Sequence, residues 1–177
     1  LHFGESYTLT EIRAADGYAL ADNITFRLIQ KSDSDGNPLE ECEVYYLTTK
    51  NILFWKWDDW RLLDDATVIM RDDITKVQIS KKDLTTKEEL PGAELVIKDK
   101  DGTEIDRWIS TNGPHYVEKM PAGDYTLTEI TAPNGYKVAE SIDFTVLPTG
   151  EIQTVVMKDA REDLSLIHIS EPTRLAL

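Results

Sequence analysis

Residues 125–146 read YTLTEITAPNGYKVAESIDFTV, and residues 7–28 read YTLTEIRAADGYALADNITFRL. Twelve of the 22 aligned positions are identical and no gap is needed, so the chain contains an internal repeat. Within each copy, apolar and polar residues alternate through YTLTE and again through the I-x-F stretch. That period of two is the signature of a half-buried strand. Between them lies Asn134-Gly135 or Asp16-Gly17, a turn signal.

Working outward, TVIMRD at 67–72 matches TVVMKD at 154–159, but here the offset is 87 residues where the first match has 118. The first repeat therefore carries 31 extra residues between the two matches, an insertion spanning about 29–66. The second copy is complete. Ahead of its matched segments come VQISKKD at 77–83, LPGAELVIKD at 90–99 and DGTEIDRWIS at 101–110. Each alternating run is broken by Pro91-Gly92, Asp101-Gly102, Asn112-Gly113-Pro114 or Asn134-Gly135, and no stretch sustains a helical period. The expectation is an all-β chain of antiparallel, immunoglobulin-like sandwiches in two tandem repeats, the first truncated at its N-terminus. About seven strands fall in a complete domain at 74–162, and the C-terminal part of a first repeat occupies 1–73.

Composition narrows the function. With 41% hydrophobic and 29% charged residues the chain is foldable, and it has no apolar run long enough to span a bilayer. Nineteen Lys and Arg against 33 Asp and Glu give a net charge of -14, which repels nucleic-acid phosphates and anionic headgroups. Neither nucleic acid nor direct membrane insertion is expected. Cys42 has no partner for a disulfide within the chain, and His2, His115 and His168 are too scattered for a zinc site. No metal or cofactor is expected.

Strand parity singles out three ionisable residues. In VQISK the apolar positions Val77 and Ile79 lead to Lys81; in YTLTE, Tyr125 and Leu127 lead to Glu129; in TVVMKD, Val155 and Met157 lead to Asp159. Three strands each place an ionisable group on the face that should be buried. A buried salt-bridge network, or strand ends already in solvent, would account for the pattern. So would a reaction: burial removes the proton from an amine and adds one to a carboxyl, leaving the reactants of amide formation. The other carboxyl can then shuttle protons.

Lys-x-Asp at 81–83, Leu-Pro-Gly-Ala at 90–93, and YTLTE followed by APNGY within 125–136 resemble the Cna B-type (SpaA-type) domains of Gram-positive surface adhesins and pilins. The resemblance spans nearly all of 76–160 and implies a prealbumin-like sandwich in which a Glu assists a spontaneous Lys to Asn or Asp isopeptide bond. It makes Lys81 the nucleophile, Asp159 the acceptor and Glu129 the catalytic carboxyl. Glu11 and Asp72 become the partial triad of repeat 1, whose lysine would lie upstream of Leu1. The implied function is a structural stalk module of an extracellular, wall-anchored adhesin or pilin, with single-turnover bond formation as its only catalysis. Its implied partners are neighbouring domains of the same surface protein, and host matrix or glycans through other domains.

Two other function classes compete. The insertion holds Tyr45, Tyr46, Phe54, Trp55, Trp57 and Trp60, which suits either an added hairpin packed on the sandwich or a ligand-binding surface. A third possibility is an accessory β-domain of a large secreted hydrolase. Asp33-Ser34-Asp35-Gly36 and Asp99-Lys100-Asp101-Gly102 start like calcium loops but lack the Glu at the twelfth position, and turns are expected instead. The tail LSLIHISEPTR at 164–174 resembles the translation of a sequencing-library adapter, so 163–177 is expected to be non-native, a natural linker being the alternative. Leu1 in place of a methionine is read as the start of a fragment.

Overall fold

The computed structural model describes residues 1–52 and 55–162, so Phe54 and the tail from 163 lie outside the described residues. Among the described residues all regular structure is strand, and no helix is long and apolar enough to cross a membrane. The strands are β1 (Ser6–Leu9), β2 (Ile24–Ser32), β3 (Pro38–Ile52), β4 (Trp55–Leu62), β5 (Lys76–Asp83), β6 (Glu94–Asp99), β7 (Glu104–Ile109), β8 (His115–Glu118), β9 (Gly123–Thr131), β10 (Ile142–Val146) and β11 (Ile152–Asp159). They form three sheets ordered β1-β2-β3-β4, β10-β9-β6-β7 and β11-β5-β8. The pairs β1–β2, β2–β3, β3–β4, β6–β7 and β6–β9 are antiparallel.

The chain divides into two compact units. One comprises 1–77 with 117–123 and 146–153; the other comprises, of the described residues, 78–116, 124–145 and 154–162. In the second unit the alternating side chains of β5, β6, β9 and β11 meet: Ile79, Leu95, Ile97, Leu127 and Met157 are all buried. Burying such side chains contributes about 1.5–3 kcal/mol each, so this apolar layer is what fixes the strands that carry the polar groups described below. In the first unit the buried apolar set is small: Ala19, Val44, Val77, Met120 and Val146.

The repeat seen in the sequence recurs as a repeat of hydrogen bonds. Tyr18 N donates to Ala15 O at 3.0 Å, as Tyr136 N does to Pro133 O at 3.1 Å. Ala19 N donates to Asp73 O at 2.8 Å, as Lys137 N does to Ala160 O at 3.0 Å. Thr75 N donates to Gly17 O at 3.1 Å, as Glu162 N does to Gly135 O at 2.8 Å. Even the rings agree, with Tyr7–Phe26 and Tyr125–Phe144 both 5.8 Å apart. Both offsets, 118 for residues 15–19 and 87 for Asp73 and Thr75, are therefore three-dimensional equivalences.

The copies differ where pairing differs. The segment 154–159 lies in β11 beside β5, whereas its counterpart 67–72 belongs to no strand. Burial differs as well: Leu9 is 40% exposed where its counterpart Leu127 is fully buried.

The insertion lengthens β2 and adds β3 and β4 to the same sheet, with Arg27 opposite Tyr45 and Leu47 opposite Trp60. The Arg27 guanidinium lies 4.3 Å from the Trp60 ring centroid and 5.6 Å from that of Tyr45. Trp60 is thus a packed residue, while Trp57 remains 42% exposed. Each Asp-rich turn is closed by its own first aspartate. Asp33 Oδ1 accepts from Asp35 N and Asn37 N, and Asp99 Oδ1 accepts from Asp101 N and Thr103 N.

Candidate functional site

β5 places Val77, Ile79 and Lys81 on one face, all buried, and on β11 Met157 and Asp159 are buried likewise. These two strands are neighbours in one sheet, whereas Glu129 comes from β9 of another. Glu129 follows the buried Tyr125 and Leu127 on its own strand. The three side chains converge: Lys81 Nζ is 2.9 Å from Glu129 Oε1 and in hydrogen-bond contact with Asp159 Oδ1. Side-chain exposure is 2% for Lys81 and 0% for both carboxylates, so water does not screen this contact.

The carboxylates are held differently. Ala139 N donates to Glu129 Oε2 at 2.6 Å, which turns Oε1 toward the amine. Both Glu129 Oε1 and Asp159 Oδ2 are buried without a well-aligned donor. Burial raises the pKa of the Asp159 carboxyl above the ordinary value of 3.8, partly opposed by Lys81, and the facing Glu129 raises it further. Asp159 Oδ2 is a buried acceptor without a donor, which is expensive for an ionised carboxylate.

A small cavity of about 90 Å3 opens beside the amine, lined by Lys81, Ile79, Trp108, Ser110 and His115 among others. His115 is tied down there, its Nε2 being 2.7 Å from Asp106 Oδ2 and its ring stacked 4.2 Å from Trp108.

Repeat 1 retains part of this arrangement. Ala21 N donates to Glu11 Oε2 at 2.7 Å, the counterpart of the Ala139–Glu129 bond. Asp72, however, is exposed outside any strand, and among the described residues no hydrogen bond or ion pair joins it to Glu11. No group of three or more His, Cys, Asp or Glu side chains among the described residues is placed to hold a metal.

Two further polar residues lie one step beyond the site on the same parity. Asp83 continues the series 77, 79, 81, and Arg161 continues 157, 159. Asp83 is buried, and its Oδ2 accepts from Tyr136 OH at 2.7 Å and from Arg161 Nε and Nη2 at 3.2 Å each. The signal was the same alternation, one residue pair further on.

Seven strands in two sheets, closed around a buried amine and two buried carboxyls, define a prealbumin-like sandwich domain. Residues 75–161 match the family model SpaA, described as a prealbumin-like fold domain, which supports a Cna B-type (SpaA-type) domain over that span. Among solved structures, the TIE protein of Bacillus anthracis matches at 21% identity and TM-score 0.44, over 79% of this chain and 28% of that one. The shaft pilin SpaA of Lactobacillus rhamnosus GG matches at 19% identity and TM-score 0.41, over 75% and 69% respectively. GBS52, the minor pilin of Streptococcus agalactiae, matches at 18% and TM-score 0.43, over 88% and 63%. A search of curated proteins finds no match.

Proposed function

We propose that residues 74–162 form a structural module of an extracellular Gram-positive adhesin or pilin, locked by a spontaneous amide bond between Lys81 and Asp159. The observation that carries this reading is the buried meeting of Lys81, Glu129 and Asp159, with Asp159 Oδ2 lacking a donor. Neutral Lys81 Nζ attacks Cγ of protonated Asp159. Glu129 takes a proton from the nitrogen and returns it to the departing oxygen, the C–N bond forms, the C–O bond breaks and one water leaves. The sandwich supplies proximity and exclusion of solvent in place of an activating cofactor. The cavity beside Lys81 gives the water room to depart.

Such a bond joins neighbouring strands of one sheet, so pulling force bypasses the hydrogen-bonded ladder, which suits a stalk between other domains of a surface protein. We read 1–73 as part of a preceding repeat, with Glu11 and Asp72 as the counterparts of Glu129 and Asp159. The deciding experiment is intact-mass analysis of the purified chain: one water fewer than its sequence, with the loss mapped to a Lys81–Asp159 cross-link. A folded chain of full mass would sink the reading. Lys81→Ala and Asp159→Ala should restore the missing water.

A second reading, a binding module, has its own support in the exposed Trp57, an aromatic surface available to a glycan or matrix protein. A glycan array read against a Trp57→Ala control tests it.

A further inference from the structure

We infer that Asp83 is a positioning residue for amide formation, setting the register of the ends of β5 and β11 that carry the reacting groups; this rests on the isopeptide reading. Asp83 stands two residues beyond the nucleophile, and Arg161 stands two residues beyond the acceptor. Their ion pair therefore repeats the Lys81–Asp159 contact one step further along the same two chain segments. Arg161 is 64% exposed and Asp83 5%, so the charge that organises the contact is the buried one.

All of Asp83's acceptor capacity is used. Oδ1 accepts from Thr85 N at 2.6 Å and Thr86 N at 3.1 Å, while its backbone oxygen accepts from Lys87 N at 3.0 Å. These bonds close a tight turn directly after β5. Inside that turn, Leu84 N donates to the backbone oxygen of Asp159 itself at 2.8 Å. Asp83 Oδ2 meanwhile takes Tyr136 OH and the Arg161 guanidinium. One carboxylate thus shapes the turn that grips the acceptor's main chain and also holds the residue two beyond it. Charge-assisted bonds of this kind are about twice as strong as neutral ones and geometrically demanding. A reaction that depends on contact between two buried groups loses rate steeply when that contact slips.

The test follows bond formation in the full chain made by cell-free synthesis, quenched in acid at intervals and weighed intact. Asp83→Asn should slow the loss of water about tenfold, and Tyr136→Phe by less, reflecting charge-assisted bonds lost at the turn. Val96→Ala is the control. It removes buried volume from a β6 position that alternates off the face bearing Leu95 and Ile97. Melting of each variant in a Lys81→Ala background, where no bond can form, calibrates plain destabilisation. Slowing in Asp83→Asn beyond that of an equally destabilised Val96→Ala supports the inference. Equal slowing in the two, or a wild-type rate in Asp83→Asn, overturns it while leaving the isopeptide reading standing. If Asp83→Asn shows no cooperative melt, Arg161→Gln decides, since that side chain is largely exposed: slowed formation supports, an unchanged rate overturns. A wild-type chain that never loses water rejects the isopeptide reading, and this inference with it.

Discussion

Ala139 donates its backbone N–H to Glu129 Oε2 at 2.6 Å, and this single bond decides which carboxylate oxygen faces the Lys81 amine. The loop after β9 thereby orients a residue of one sheet toward the buried Lys81 and Asp159 on another. Repeat 1 keeps the same bond between Ala21 and Glu11. The holder is thus a property of the repeated backbone.

Replacing Glu129 by Gln keeps an acceptor for Ala139 N but removes the proton carrier. The variant should remain folded, with an unchanged far-ultraviolet circular dichroism spectrum, and should retain the water that the wild type loses. Cross-linking at wild-type extent in Glu129→Gln would remove Glu129 from the mechanism.

The proposed cross-link would also restrict the unfolded chain. Lys81 and Asp159 are 78 positions apart, and closing a loop of that size is worth about 4 kcal/mol on the chain-entropy account used for disulfides. Urea unfolding of wild type against Glu129→Gln should show a difference of that order. A difference well below about 1 kcal/mol would mean that the bond is absent or strained.

The pH dependence should separate the two forms. In the uncross-linked chain, burial raises the folded pKa of Asp159 above 3.8, so the folded state binds more protons than the unfolded state from about that pH upward. Its contribution to stability is therefore greatest at or below pH 3.8 and declines as pH rises through the raised value. In the cross-linked chain Asp159 is an amide and does not titrate. The stability of wild type minus that of Glu129→Gln should increase with pH across this interval. A difference that stays flat would contradict the burial argument.

Gly17 and Gly135 occupy equivalent turns with φ of 81° and 83°. A side chain at Gly135 would meet nothing within 4 Å, but a Cβ at Gly17 would lie 2.4 Å from the Lys119 carbonyl oxygen. Gly135→Ala should therefore show only the strain of a left-handed residue, about 1 kcal/mol. Gly17→Ala should destabilise the chain by clearly more in the same melts, because backbone and not a flexible side chain must give way. Equal effects would show that the close approach relaxes freely.

Much of this was determined by the sequence itself. Alternation has a period of two, so each strand declared its own inner face, and Lys81, Glu129 and Asp159 could be marked from one-dimensional parity. The repeat offsets of 118 and 87 likewise reappear as equivalent hydrogen bonds, because turn residues such as Gly17 and Gly135 specify local geometry wherever they occur. Parity says nothing about which strands become neighbours. That TVVMKD pairs as a strand while TVIMRD does not depends on whether β5 lies beside it, a contact distant along the chain. The aromatic insertion was ambiguous for the same reason: packing of Trp60 on Arg27 and exposure of Trp57 follow from where the added strands join the sheet. Only the tertiary structure could bring the amine and two carboxyls of three separate strands to one point, because their convergence is a property of sheet order and of the apolar layer that holds the strands together.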